Sequence, residues 1–377
     1  MPWKDVLIMD QRREVVLLAG RPGANKRELA RRWGIAPKTL YKWLDRYEEF
    51  GEAGLADRSR RPRSSPERTP VELERRVLTL HEENPYWGAR KLRELMKGEV
   101  PELPARSTVH EILRRHDCLI GGKAEAEQGP FKRFEHPHPN DLWQMDFKGY
   151  VRNERGLCHP LTVLDDHSRF SLCLAACNDE QYPTVQKQLI ATFKHYGLPL
   201  RMTMDNGPPW GGGNDGLGYT MLTVWLLQLG IRVSHSRPRH PQTQGKDERF
   251  HRTLKVELLQ HRRFIDNVDA QSHFDGFRDR YNTKRPHEAL GMAVPISRYQ
   301  ASQTPYPEVL PVVEYLSADK VYKVDSSACI TVKGYRVKIG KAFIGQRIAL
   351  RPTNQDGLFG IWFSRFDIGQ LDLRLSW

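Results

Sequence analysis

The 377-residue chain contains no run of 18 apolar residues, which excludes an ordinary membrane-spanning helix. Its opening, MPWKDVLIMD, lacks the charge-then-apolar order of a secretory signal. A cytoplasmic protein without a membrane partner is expected. Cysteine is scarce: Cys118, Cys158, Cys173, Cys177 and Cys329 are odd in number and scattered, with no Cys-x-x-Cys pair. That excludes a disulfide framework and a zinc ribbon and leaves reduced structural thiols. Acid is also in short supply, with 46 Asp and Glu against 59 Lys and Arg, a net charge of +13. Such an excess is large for a globular enzyme and points to a polyanionic partner. The length suggests two to four domains, and 39% apolar content is modest but adequate for their cores.

Residues 1–55 read as a helix-turn-helix DNA-binding domain. Helices are expected over about 4–19, 26–33 and 37–50, the last with Pro37 at its first position and Gly34-Ile35-Ala36 as the turn. Leu29, Ala30, Trp33, Ile35, Leu40, Trp43 and Leu44 would make the small core. Lys38, Thr39, Lys42 and Arg46 share the outer face of the last helix and are the expected DNA contacts. Residues 1–65 carry 15 Lys and Arg against 9 Asp and Glu, an excess that argues against a plain helical hairpin. A basic linker, 56–68, follows. Its Arg58, Arg60, Arg61 and Arg63 suit an arm along phosphates, or else a charged tether. Residues 69–120 read as a second helical, helix-turn-helix-like unit. Thr69-Pro70-Val71-Glu72 has the form of a capping box, and Ser107 or Thr108 could cap its last helix. A connector covers 121–138.

Three acidic stretches stand out beyond it. DLWQMDFKGY sets Asp146 in the middle of a β-prone run, where Asp is disfavoured and needs a reason. LRMTMDNGPPW ends a short strand in Asp205-Asn206-Gly207, an ordinary place for an acid before a turn. SRPRHPQTQGKDERFHRTLKVE opens with turn residues and runs into a helix striped by Phe250, Leu254 and Leu258. Glu248, Arg252 and Lys255 project together from a second face, whereas Asp247 points closer to the stripe. Glu248 is therefore preferred as the active carboxylate over its neighbour. A solvated helix face is the plain alternative for this stretch alone.

In the order strand, strand end, helix, the texts WQMDF, TMDNG and HPQTQGKDERFHRTL resemble the retroviral-integrase-like DDE transposases. They are most similar to the single-reading-frame transposases of bacterial insertion sequences, and the likeness covers nearly the whole chain. It implies that Asp146, Asp205 and Glu248 are catalytic and hold two Mg²⁺ (or Mn²⁺) ions, with Lys255 and, less directly, Arg252 on DNA phosphates. Three carboxylates on rigid elements supply the hard oxygen ligands that Mg²⁺ prefers. The reaction implied is cleavage at the element's ends, then strand transfer of a freed 3′-hydroxyl into target DNA, by a homo-oligomer on double-stranded DNA in the nucleoid. His235, His240 and His251 are given no metal role, because neutral imidazole suits zinc better than magnesium. Nothing here matches the zinc module that precedes the core in retroviral integrases.

The multidomain architecture expected is helix-turn-helix units, then an α/β ribonuclease H-like core over 139–300, then a small all-β SH3-like barrel over 305–377. Within the core, strands are expected at 143–151, 159–165, 170–177, 201–204 and 231–235, with helices at 182–196 and 219–229. Asp165 and Asp166 read as turn acids, and Asp215 falls in a Gly-rich loop taken as flexible. Short β runs between 321 and 373, separated by turn signals, give the barrel. A non-catalytic DNA-binding regulator and a metal-dependent nuclease that does not join are the rival functions. All three carboxylates speak against the first, and the flanking DNA-binding units against the second.

Overall fold

The computed structural model describes residues 8–58, 69–119, 135–211, 213, 215–235 and 245–374. Two compact units divide the chain, 1–68 and 69–377. In the first, α1 (Ile8–Ala19), α2 (Lys26–Arg32) and α3 (Pro37–Phe50) enclose Val15, Val16, Ala19, Ala30, Leu40 and Leu55. Asn25 caps α2 by accepting a bond from the Glu28 amide, and Gly34 takes the left-handed conformation that the turn into α3 needs (φ 64°). The helix-turn-helix expectation over these residues matches the elements observed.

The second unit begins with α4 (Val71–Glu83), α5 (Ala89–Leu95) and α6 (Arg106–Arg115), packed around Val77, Leu92, Met96, Val109 and Ile112. The capping box expected at Thr69 does not form. Pro70 is the residue before the helix, and it has no side-chain cap. Likewise Ala105 precedes α6, so Ser107 and Thr108 lie inside its first turn and do not cap it.

A mixed sheet forms the centre. Its strands are β1 (Trp143–Phe147), β2 (Val151–Asn153), β3 (Gly156–Asp165), β4 (Ser171–Cys177), β5 (Arg201–Met204) and β6 (Arg232–His235). β1 pairs antiparallel with β3 and parallel with β5, β5 pairs parallel with β6, and β4 closes the far side of β3. The expected strand 143–151 is in fact two. Gly149 at φ 87° breaks it, and β2 resumes beside β3 as a hairpin.

Both faces of the sheet are covered, which explains why the inner part of β3, most of β4 and the start of β1 are buried, while the edge strands β2 and β6 are not. On one side α7 (Tyr182–Tyr196) and α8 (Met221–Gln228) bring Val185, Leu189, Phe193, Leu222 and Leu226 against Met145, Leu161 and Val163. On the other, α9 (Gly245–Leu254) and α10 (Asn267–Thr283) bring Phe250, Leu254, Phe274 and Phe277 against Leu164 and Leu174. The sequence reading did not anticipate α10. This is the ribonuclease H-like core expected.

The carboxy-terminal part is all-β. β7 (Lys320–Lys323), β10 (Arg347–Pro352), β11 (Leu358–Phe363) and β12 (Phe366–Asp372) form a four-stranded antiparallel sheet. β8 (Cys329–Val332) and β9 (Tyr335–Lys338) form a separate hairpin over the same apolar core. That core continues into Val224 and Leu227 of α8, so the β part is packed onto the sheet's helical layer. The loop carrying Asp215 is fastened rather than flexible. Asp215 pairs with Lys338 at 2.8 Å and accepts a bond from the Lys341 amide.

The second helical unit is joined to the core by one buried acid. Glu257 falls seven residues after Phe250, on the apolar stripe of its helix, just beyond the point where α9 gives way to a π turn (Lys255–Leu259). Its carboxylate accepts bonds from Arg285 Nε at 2.7 Å and from Trp87 Nε1, ahead of α5, at 3.3 Å. Tyr86 stacks on His261 beside it, with ring centroids 4.6 Å apart. Removing one member of a buried ion pair leaves the other charge without compensation. Glu257→Ala should therefore destabilise this unit by about 3–5 kcal/mol in urea unfolding; a change below about 1 kcal/mol would mean that the joint is loose.

Candidate active site

The site is built from the end of β1 outward. In the parallel pairing, Trp143 stands opposite Met202 and Gln144 opposite Thr203. Carried two residues on, that register sets Asp146 level with Asp205, each at the carboxyl end of its strand. Equivalent positions on neighbouring strands face the same side of a sheet. The two carboxylates therefore approach from one side, and Asp205 is among the charges that act on Asp146. Asp205 itself is exposed, and its carbonyl accepts a bond from His235 Nδ1 at 3.0 Å, which ties the end of β5 to the end of β6.

Asp146 is half-buried. Burial, reinforced by the Asp205 and Glu180 carboxylates, pushes its carboxyl up to about 6, against the opposing bond from the Phe147 amide (2.8 Å to Oδ1). The donor types suit a divalent ion, since Asp146 and Asp205 offer hard oxygens from level positions on adjacent strands.

Helix α9 packs on β1 and β3 and brings its first turn to the same place. Its amino-terminal end is moored by Lys246, which forms an ion pair with the buried Asp166 and also donates to the Asp166 carbonyl at 3.3 Å. Gln144 of β1 donates to the same carboxylate oxygen, Oδ1, at 2.8 Å, and the His136 amide donates to Oδ2 at 2.9 Å. Asp166 and its neighbour Asp165, which accepts bonds from Asn140 and Ser168, are thus turn acids with full structural duties. Glu248 is exposed, as are Arg252 and Lys255 on the same face, while Phe250 and Leu254 are buried. The split of faces read from the sequence is the one observed.

What the sequence reading missed lies on the inner face. Asp247 is fully buried, and one ligand atom each from Asp146, Asp247 and His251 lie within 4.8 Å of one another. Thr162 on β3 is their hub. Its hydroxyl lies 2.9 Å from the Asp146 carbonyl, 3.1 Å from Asp247 Oδ1 and 2.8 Å from His251 Nε2. Burial, then the Asp146 and Glu248 charges, raise Asp247 well above the ordinary carboxylate range. Burial lowers His251 to about 3, so its imidazole is neutral at physiological pH. The helical spacing of Asp247 and His251, four residues apart, was the available signal.

Of the residues expected to meet DNA, Lys38 and Lys42 are exposed on α3, whereas Thr39 and Arg46 are half-buried. Arg58 is exposed, with its guanidinium 5.1 Å from the centre of the Phe50 ring. Arg60, Arg61, Arg63 and His240 lie outside the described residues.

The raised Asp146 carboxyl has a consequence for stability. Its ionisation costs the folded state, so the penalty is absent below the unfolded carboxyl's range near 4, grows with rising pH, and is complete above about 6. In chelator, Asp146→Asn should stabilise the protein by about 2 kcal/mol at pH 8 and by little at pH 4. Thermal melts at the two pH values decide it, and an equal difference at both would refute the assignment.

Comparison with known proteins adds the context of this geometry. Residues 136–241 and 229–295 match two family models described as integrase core domain, and 319–376 match the IS481 family transposase C-terminal domain. Residues 11–63 match a helix-turn-helix domain and 39–113 a homeodomain-like domain. An uncharacterized 39.2 kDa protein of insertion element IS476 from Xanthomonas euvesicatoria is 25% identical over 240 residues. That alignment takes in 62% of this chain and 66% of the relative, just under two thirds of its length. A 31.7 kDa protein of insertion element IS407 from Burkholderia multivorans is 20% identical, over 62% of this chain and 82% of its own. Among solved structures, a chain of the simian T-cell lymphotropic virus intasome, in complex with PP2A regulatory subunit B56 gamma, aligns with a TM-score of 0.38 and 19% identity. It covers 77% of this chain and 96% of that one. With integrase-core matches over the sheet that carries Asp146 and Asp205, helix-turn-helix matches before it and an insertion-sequence domain after it, the chain belongs to the integrase superfamily of DDE transposases.

Proposed function

We propose that this protein binds the ends of its own insertion sequence and carries out metal-dependent DNA strand cleavage and strand transfer. The observation that carries the reading is the pair Asp146 and Asp205, level on adjacent parallel strands, with the first turn of α9 packed beside them. In this reading Asp146, Asp205 and Glu248 would hold two divalent ions, Asp205 contributing to one, Glu248 to the other and Asp146 to both. When bound, such a pair polarises the attacking oxygen and steadies the leaving one in an in-line phosphoryl displacement. The chain's own groups hold and orient the DNA. Lys255 and Arg252, on the exposed face with Glu248, bind phosphates beside the scissile bond. First water and then a 3′-hydroxyl attacks at the same place, since only the entering oxygen differs between cleavage and joining.

End recognition is assigned to the amino-terminal helices, with Lys38, Thr39, Lys42 and Arg46 on α3, and sequence-independent grip to Arg58, Arg60, Arg61 and Arg63. The domain limits proposed are 1–55, 56–68, 69–120, 121–138, 139–300 and 305–377. Two element ends must meet for joining, so a homo-oligomer on DNA is part of the proposal. As for location, no helix among the described residues is long and apolar enough to cross a membrane.

The reading is tested with a duplex carrying the element's ends and a target duplex, in Mg²⁺ or Mn²⁺. Asp146→Asn, Asp205→Asn and Glu248→Gln should each lower cleavage and joining by about 100-fold or more while end binding is kept. End binding without any product by the wild type would favour a DNA-binding regulator. Cleavage without joining would favour a nuclease. Lys42→Ala should weaken end binding and lower the salt slope by about one, as expected of one lost phosphate contact.

A further inference from the structure

We propose that Asp247 and His251, together with Asp146, form a buried site for one first-row transition dication such as Zn²⁺ or Co²⁺, set behind the reaction face. The site is separate from the two-ion arrangement above, although Asp146 belongs to both. Asp247 and His251 are four residues apart on α9 and so lie one turn apart on one helix face, the spacing by which a single helix chelates a metal. Both side chains are buried, and Asp146 reaches them from β1, completing a three-ligand set within 4.8 Å.

A second observation points into the same space. Asp247 Oδ1 is engaged by Thr162, but Oδ2 is buried with no hydrogen-bond partner among the described residues. A buried carboxylate oxygen left in that state is costly and uncommon. Among the described residues no lysine or arginine forms an ion pair with Asp247, and the nearest charges acting on it are those of Asp146 and Glu248. Two carboxylates crowded in a dry place, with an imidazole within 4.8 Å of both, are what a dication would reconcile. The imidazole selects the ion class, because nitrogen donors favour zinc, cobalt or nickel over magnesium. Occupancy would take His251 Nε2 away from the Thr162 hydroxyl, which keeps its 2.9 Å bond to the Asp146 carbonyl.

Co²⁺ is the probe, added to chelator-stripped full-length protein and followed by visible absorption and calorimetry. The wild type should bind one Co²⁺ with the intense visible bands of a low-coordinate site. Asp205→Asn and Glu248→Gln should keep those bands. His251→Gln should lose them, and Asp247→Asn should bind about tenfold more weakly or worse. Circular dichroism checks each variant's fold. Should His251→Gln not fold, the near-isosteric Asp247→Asn carries the same expectation. The proposal is overturned if the wild type gives no such bands, or if the bands survive in His251→Gln or, where that variant does not fold, at full affinity in Asp247→Asn. It is also overturned if the bands vanish in Asp205→Asn and Glu248→Gln, because the ion then belongs to the reaction site. Strand cleavage in Mg²⁺ is assayed in parallel. Its absence in the wild type would count against the proposed reaction and leave this site standing.

Discussion

The parallel pairing of β1 with β5 is the constraint on which the site depends. β1 is only five residues long, yet it is bonded on both sides, to β3 and to β5, and covered on both faces. Its freedom to slip is therefore small, since a one-residue shift would turn Met145 outward and Asp146 into the apolar layer. With the register fixed, a carboxylate that would be unfavourable in mid-strand arrives at the strand's end, level with the acid that closes β5. Burial there, with the Asp205 charge adding to it, raises the Asp146 carboxyl.

Helix α9 completes the site by having two polar faces of different kinds. The outer one carries Glu248, Arg252 and Lys255 into solvent, where DNA can reach them. The inner one carries Asp247 and His251 under the sheet and, within the π turn, Glu257 into the joint with Trp87 and Arg285. Apolar packing by Phe250 and Leu254 seats the helix, but the buried polar contacts fix its rotation, because hydrogen bonds are directional where apolar contact is not. The joint at Glu257 also ties the second helical unit to the helix that bears Glu248.

Much of this was legible in the chain. Periodicity gave α2, α3, α7 and the stripe of α9 nearly to the residue, because an amphipathic helix writes its buried face at a spacing that does not depend on its partner. The acids at 146, 205 and 248 were singled out by the order of their motifs, and the fold sets the first two level at the ends of adjacent parallel strands. The break at Gly149 was not read, since a β-prone run on both sides of a glycine looks like one strand until its neighbour is known. The caps at Thr69 and Ser107 were misread because capping is decided by one backbone angle, not by composition alone.

By itself, then, the order of residues determined the element types, the basic character that calls for DNA, and which face of α9 carries Glu248. Only the tertiary structure decided which acids meet. Asp247 and His251 looked like, respectively, a discarded rival to Glu248 and an imidazole without a role. Their importance depends on Thr162 and Asp146 arriving from strands about 85 and 100 residues away in the chain. Burial and charge proximity are properties of the folded neighbourhood and fall off within a few ångströms. A sequence states which side chains can ionise or ligate, and the packing of distant segments states which of them must do so together.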